Sequence, residues 1–426
     1  MKDLSKIVKK CFLGILLITT ISCSDDFIDV PPTQENSEDY FNSEEDYQNA
    51  LIGAYDLLQS TYLNVMLGEI ASDNTLAGGE SATDVSGIQQ VDDMIQTPVN
   101  AQLRDIWNWM FAGVNRANYI MEFQDKTDFE GKDLVLAQAR FLRAYYYFEL
   151  VKWFGDVPLV VDQRILFGQQ FEIDRTPKAE VYAQIEQDLI YAADILPYFQ
   201  AETGRVTKGA AQALLGKVYL FQDKFSESAN VLESVINNGP YDLLSDYSTM
   251  FENDNENNIE SVFEVQYTDV QGAGFGCLQC SEGNVAVGFS GIRNYSVEPG
   301  SVGDIFKSGF SFNVPVQDLV DAYEAGDTRI ESTIFDIDAF VSTRPDVSYN
   351  LGSEHTGYFN KKYIPYADDI VLPDQNINRS NNYRAIRYVD ILLMAAEANL
   401  QASVLKDNPQ DLLDLIRDRA FGDSNH

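Results

Sequence analysis

Apolar residues in this chain recur every three or four positions through long blocks, alternate in a few later runs, and form one unbroken stretch near the start. The blocks predict amphipathic helices. From Ser43 onward, Tyr47, Leu51, Ala54 and Leu58 follow a helical period, and Ser43 with Asp46 has the spacing of a capping box. Ala101–Phe123 carries Leu103, Ile106, Trp107, Met110 and Val114 on one side, and Lys132–Phe154 is dense in Ala, Leu and Tyr until Gly155 and Pro158. Thr176 is expected to cap a further helix with Pro177 in its first turn, where a missing N–H costs nothing. Val181, Ile185 and Leu189 line that helix, and Pro197 is expected to end it. Between Gly68 and Asn100 no period is sustained, which reads as a long loop of the kind that carries function or moves.

Residues 207–240 hold the clearest architectural signal. Leu215-Gly216-x-x-Tyr219 matches the L-G-x2-Y core of a tetratricopeptide repeat, with Ser228 at the small crossing position, Leu232 at the large apolar one and Pro240 at the terminating proline. Gln212 stands where the template has Trp, so the repeat is degenerate. One repeat cannot bury its own apolar face, so helix pairs at 101–154 and 383–420 are expected to stack beside it. From Asp246 to Asn382 the character changes to short alternating runs, such as Ser261–Tyr267, among Gly-rich and aromatic loops, with helix only around Val316–Tyr323. Helix is expected again over Tyr383–Ala402 and Pro409–Arg419. The predicted fold class is therefore mainly α, with tetratricopeptide-like stacked helix pairs and a loop-rich, partly β region packed on them.

The unbroken apolar stretch, Cys11–Ile21, follows four lysines and is too short to span a bilayer as a helix. It ends in Thr20-Ile21-Ser22-Cys23, small residues before a cysteine, as a lipoprotein signal does; an ordinary secretory signal with an incidental cysteine is the alternative. Acylation of Cys23 would anchor the chain durably, since each buried methylene contributes about 0.8 kcal/mol. The expected organisation is a lipoprotein signal peptide over 1–22, a tether over 23–42, a helical region over 43–245, a loop-rich ligand-binding region over 246–382 and a C-terminal helical region over 383–426. With 66 acidic against 30 basic residues the chain carries a formal charge of −36. Nucleic acid and anionic membrane surfaces repel such a protein unless a basic patch intervenes, and the sequence shows none.

The run Ala139-Arg140-Phe141-Leu142-Arg143-Ala144-Tyr145-Tyr146-Tyr147-Phe148, followed by Trp153-Phe154-Gly155-Asp156-Val157-Pro158-Leu159-Val160, resembles the hallmark of the SusD/RagB family. Gly204-Arg205-Val206-Thr207-Lys208, Glu260–Tyr267, Arg387-Tyr388 and Met394-Ala395-Ala396-Glu397-Ala398 resemble further family segments, in the expected order. Ser24-Asp25-Asp26 resembles the export signal of Bacteroidetes surface lipoproteins. The resemblance implies a lipid-anchored protein on the outer face of the outer membrane. Such a protein sits over a SusC-like TonB-dependent transporter and passes it oligosaccharides, or sometimes peptides. Members usually continue beyond Arg419-Ala420, so a truncated or short chain is expected at His426.

Capturing a glycan without cleaving it needs flat apolar faces for sugar C–H surfaces and amide, carboxylate or guanidinium groups for hydroxyls. Trp107 and Trp153 sit at core spacing and are read as structural, whereas Trp109 points away from Trp107 by roughly 200° on a helical wheel. Arg140 and Arg143 are expected to pair or stack within the fold. The ligand candidates are Asp73, Asn74, Trp109, Phe275, Phe289, Arg293, Tyr295 and Tyr358, with Tyr363 as a further one. Cys277 and Cys280 lack further strong ligands for zinc, since the histidines are His355 and His426 alone; a short disulfide or two free thiols remain as readings. No cofactor and no metal is expected, and no catalytic motif appears: no G-x-S-x-G, H-E-x-x-H or P-loop. A glycosidase needs only two carboxylates, and among 66 acids no spacing picks out a pair. The expected function is non-catalytic oligosaccharide capture, with peptide capture, a surface glycosidase or a repeat scaffold as rivals.

Overall fold

The computed structural model describes residues 39–422, apart from 170–171, 271–273, 302, 304, 368–376 and 403–405. Cys23 and its flanking segment lie outside the described residues. The chain is mostly helical, 52% helix against 9% strand, so helix packing rather than a sheet supplies the core.

The chain opens with α1 (Glu44–Asp56), α2 (Tyr62–Ile70), α3 (Ser86–Asp92), α4 (Ala101–Glu122), α5 (Lys132–Phe154), α6 (Lys178–Ile195), α7 (Lys208–Leu220) and α8 (Phe225–Asn238). Four short helices follow: α9 (Val285–Ser290), α10 (Gln317–Asp321), α11 (Ile330–Thr333) and α12 (Ile337–Thr343). The last two are α13 (Tyr388–Gln401) and α14 (Pro409–Phe421). From α4 to α8 each helix packs on the next, and α13 then lies on α8 and α14 on α13. α1 closes the other end by packing on α4 and α5.

The stack forms because small residues let backbones approach. On α7, a Cβ at Gly216 would lie 2.4 Å from Leu232 Cδ2 on α8, and Ser228 Oγ donates to the Gly216 carbonyl at 2.8 Å. These are the small and large positions of the predicted repeat. Gly113 on α4 plays the same part against the buried Tyr146 ring of α5, whose hydroxyl donates to Ala54 O at 2.6 Å. Arg143 pairs inside the stack, as expected: Nε and Nη2 donate to Asp188 at 2.8 and 2.7 Å, and Nη1 to Asn118 Oδ1 at 2.9 Å. Arg140 stacks over the Tyr191 ring at 4.1 Å.

Several boundaries differ from the sequence expectation. Ser43 and Asp46 do form the capping box of α1. Pro177, however, is the N-cap of α6 rather than a first-turn residue, because Thr176 is held in a bridge with Val157; the end of that helix, at Ile195 with Leu196 as its cap, falls just before Pro197 as expected. The expected loop over 68–100 contains β1 (Thr75–Gly78) and α3. The segment Tyr383–Arg387 is not helical. It forms β8, antiparallel to β2 (Ser261–Val265), and α13 starts only at Tyr388, where Asp390 accepts the Arg387 N–H at 2.9 Å. That pairing joins segments far apart in sequence, which no local period reveals. The irregular block also holds more short helix than expected, in α9, α11 and α12.

The strands form two-stranded antiparallel pairs. β1 pairs with β4 (Phe312–Pro315), β3 (Ser296–Val297) with β6 (Val347–Ser348), and β5 (Ile334–Asp336) with β7 (Tyr358–Asn360). One core runs from Phe41 to Ile416, and a smaller cluster around Ile292, Tyr295, Phe306 and Phe359 lies within the loop-rich block. The last helix is firmly placed: Leu412, Ile416 and Ala420 are buried, and Arg419 reaches the fully buried Glu260 at 2.5 Å, which also pairs with Arg387 at 3.2 Å.

Candidate functional site

A cleft of about 400 Å³ opens where α2, α3 and α4 meet the loop-rich block. That is within the usual size of a small-molecule site. One wall is the Trp109 ring of α4, tilted against Tyr62 of α2 with centroids 6.2 Å apart. The lining contributed by the loop-rich block is aromatic too. Phe310 contacts Phe275 edge to face at 5.4 Å and Phe289 at 6.0 Å, and Phe289 rests on Phe312 at 5.3 Å. Phe289 and Phe312 are buried and support the wall, while Phe275 is 57% exposed and free to present a face to a ligand.

Local structure explains how these rings arrive together. β1 pairs with β4 in a register that sets Gly78 opposite Phe312. Gly78 and Gly79 have φ of 71° and 89°, so the chain turns sharply after β1. A Cβ on Gly79 would sit 2.9 Å from the Phe312 ring. This turn throws Glu80–Asp84 over the cleft. Phe275 and Leu278 come from two short 3-10 turns, Gly274–Gly276 and Leu278–Cys280. In that segment the Cys277 and Cys280 sulfurs are bonded, with Cα atoms 5.3 Å apart, and Gln59 Nε2 donates to Gln279 O at 3.0 Å.

Polar groups line the same space. Arg293 Nη2 donates to Asp84 at 3.1 Å and to the Phe310 carbonyl at 2.8 Å, and its Nη1 lies 3.7 Å from Glu80. Asp84 also accepts the Glu80 N–H at 2.8 Å, which closes the acidic turn on itself. Gln102 and Asp105 come from the first turns of α4. Burial pushes the Asp105 carboxyl above its ordinary value, and the Arg104 guanidinium 3.5 Å away pulls it back only partly. Stacking faces, amide and carboxylate acceptors and a held guanidinium are together what polyhydroxylated rings require.

Of the residues singled out in the sequence, Trp109, Phe275, Phe289 and Arg293 line this cleft. Four others do not. Asp73 and Asn74 are exposed in the turn before β1, where the Asn74 carbonyl accepts the Val316 N–H at 3.0 Å. Tyr295 is buried against Phe306 in the smaller cluster, and Tyr358 on β7 donates to Gln317 Oε1 at 3.0 Å. Tyr363 sits in the turn Lys361–Tyr363, near the half-buried Glu69. Trp107 packs on Phe111 and Phe154 and lines a separate cleft of about 300 Å³. Trp153 borders another of similar size with Glu149 and Lys152. A cleft of about 370 Å³ beside β2, bordered by Tyr198, Phe199 and Arg205, gathers none of the sequence candidates. Tyr62, Gln102, Asp105, Phe310 and Phe312 were missed, although Phe310-Ser311-Phe312 carries the alternation of a strand.

Residues 26–220 match a family model described as starch-binding associating with outer membrane, and residues 246–425 match the SusD family model. A laminarin binding SusD-like protein is 33% identical, with a TM-score of 0.80 over 89% of this chain and 85% of its own. Surface glycan-binding protein A from Bacteroides thetaiotaomicron, solved in complex with laminarihexaose, is 25% identical with a TM-score of 0.77 over 88% of this chain and 83% of its own. SusD-like protein P2 of Formosa agariphila is 27% identical over 95% of this chain and 80% of its own.

Proposed function

The chain belongs to the SusD/RagB family, and from that premise we propose that it captures an oligosaccharide in the cleft around Trp109 and hands it on without cleaving it. The observation that carries this reading is the convergence of Trp109, Tyr62, Phe275 and Phe310 on a space also lined by Arg293, Asp84, Gln102 and Asp105. The lining rings can take the apolar face of a sugar, and the polar groups beside them can take hydroxyls. The binding named for similar proteins, of laminarin and of laminarihexaose, supports the same ligand class.

Delivery to a SusC-like TonB-dependent transporter and anchoring through an acylated Cys23 at the outer face of the outer membrane complete the proposal. The test of capture is isothermal titration against oligosaccharides and peptides of matched length. Binding confined to peptides, or to neither, sinks the glycan reading. Prolonged incubation with a bound glycan tests turnover, and new reducing ends would make the protein a hydrolase. The anchor is tested by Cys23→Ala, which should release the protein from the membrane fraction; unchanged partition counts against acylation. Co-purification of a large outer-membrane barrel with the tagged protein tests the transporter.

A further inference from the structure

The cleft has apolar walls, but its charged lining is predominantly of one sign. Glu80, Asp84 and Asp105 line it, and among the described lining residues Arg293 is the cation. That cation is already engaged by the Asp84 carboxylate and the Phe310 carbonyl, with Glu80 nearby. Nη2 is thereby taken and Nε, though without a hydrogen-bond partner, is shielded from the surface, so an incoming carboxylate or sulfate would meet the guanidinium at Nη1, beside Glu80, and would face the remaining acids. Arg104, 3.5 Å from Asp105, does not line the cleft. The whole chain, at −36, adds repulsion of the same sign.

Resting on the capture reading above, we propose that this site selects uncharged oligosaccharides and rejects uronate-bearing or sulfated chains of the same length. Two unbalanced negative charges near the ligand, in a half-open and well-hydrated cleft, correspond to about a tenfold penalty per nearby anionic sugar at low salt.

The experiment titrates the full exported chain with neutral hexasaccharides of β-1,3-, β-1,4- and α-1,4-linked glucose and β-1,4-linked mannose. Each is paired with its own C6-oxidised, uronate-bearing counterpart. The expected result is that at least one neutral member binds, its oxidised partner binds about tenfold more weakly at 50 mM NaCl, and the gap closes largely at 500 mM. Equal or tighter binding of the oxidised partner overturns the inference but leaves oligosaccharide capture standing. Silence toward every member of both sets overturns the capture reading and this inference with it. A gap that ignores salt is steric, and also overturns it. Glu80→Gln, at a position 75% exposed, should narrow the gap by about threefold, and an unchanged ratio counts against the charge argument.

Discussion

Replacing Asp188 by Ala tests the packing of the helix stack at its most committed point. Asp188 is fully buried on α6, and Arg143 of α5 is 3% exposed. The two share a bidentate contact at 2.7 and 2.8 Å, and Gln184 Nε2 lies 3.2 Å from the same carboxylate. Removing the carboxylate strands a guanidinium that cannot shed its proton and has no route to water, which costs about 3–5 kcal/mol. That is a large share of the 5–15 kcal/mol of a typical domain. The variant Arg143→Met with Asp188→Leu removes both charges and replaces them with apolar volume. It leaves two acceptors, Asn118 Oδ1 and the Val161 carbonyl, without their Arg143 donor, so about 1–2 kcal/mol of the loss should remain. Urea unfolding followed by tryptophan fluorescence and by far-ultraviolet circular dichroism reads both variants and shows whether the transition is cooperative. A single variant within 1 kcal/mol of the parent would refute the stranded-charge reasoning. So would a double variant no more stable than the single one, since the damage would then lie in packing alone.

In the cleft, Trp109→Ala should weaken oligosaccharide binding at least about tenfold while the melting temperature stays close to the parent's, because the ring is half-buried at a rim; titration calorimetry showing unchanged affinity would move the site elsewhere. Gly216→Ala should cost about 1–3 kcal/mol, since its methyl group meets Leu232 at 2.4 Å, whereas Gly53→Ala, with open space around its Cβ inside α1, should gain about 0.5–1 kcal/mol. Denaturation that fails to separate these two glycines would contradict the close helix crossing. The Glu122 carboxyl is held below its ordinary value of 4.5 by hydrogen bonds from Arg164, which also stacks on Tyr119 at 4.0 Å. A depressed carboxyl stabilises the fold fully above its unfolded value and loses that contribution as pH falls through the folded one. The parent should therefore exceed Glu122→Gln in urea midpoint at pH 7, with the difference shrinking below about pH 4.5. A constant difference across that range would exclude the ion pair as its cause.

The sequence by itself determined the stack. Lys132–Phe154 was legible to the residue because its ends are marked locally, and Gly155 supplies the left-handed φ of 68° that lets the chain leave the helix. Gly216, Ser228 and Leu232 announced a close helix crossing because the size of a side chain limits how near two backbones come. Arg143 was legible as an internal pair because a charge within so aromatic a helix needs a partner. The cleft was legible only in pieces. Trp109 stood out through its angle to Trp107, and Phe275, Phe289 and Arg293 through their glycine-rich surroundings, but Tyr295 and Tyr358 looked the same in sequence and point elsewhere. The difference lies in pairing between distant segments. β1 meets β4, and β2 meets β8, through backbone hydrogen bonds available to almost any residue. Which faces those strands turn inward was settled by burial against other segments, Phe312 of β4 against Phe289 and Phe263 of β2 against Phe141. A local period records how a segment folds on itself; which side chains from several separate segments share one cleft is a property of the assembled core.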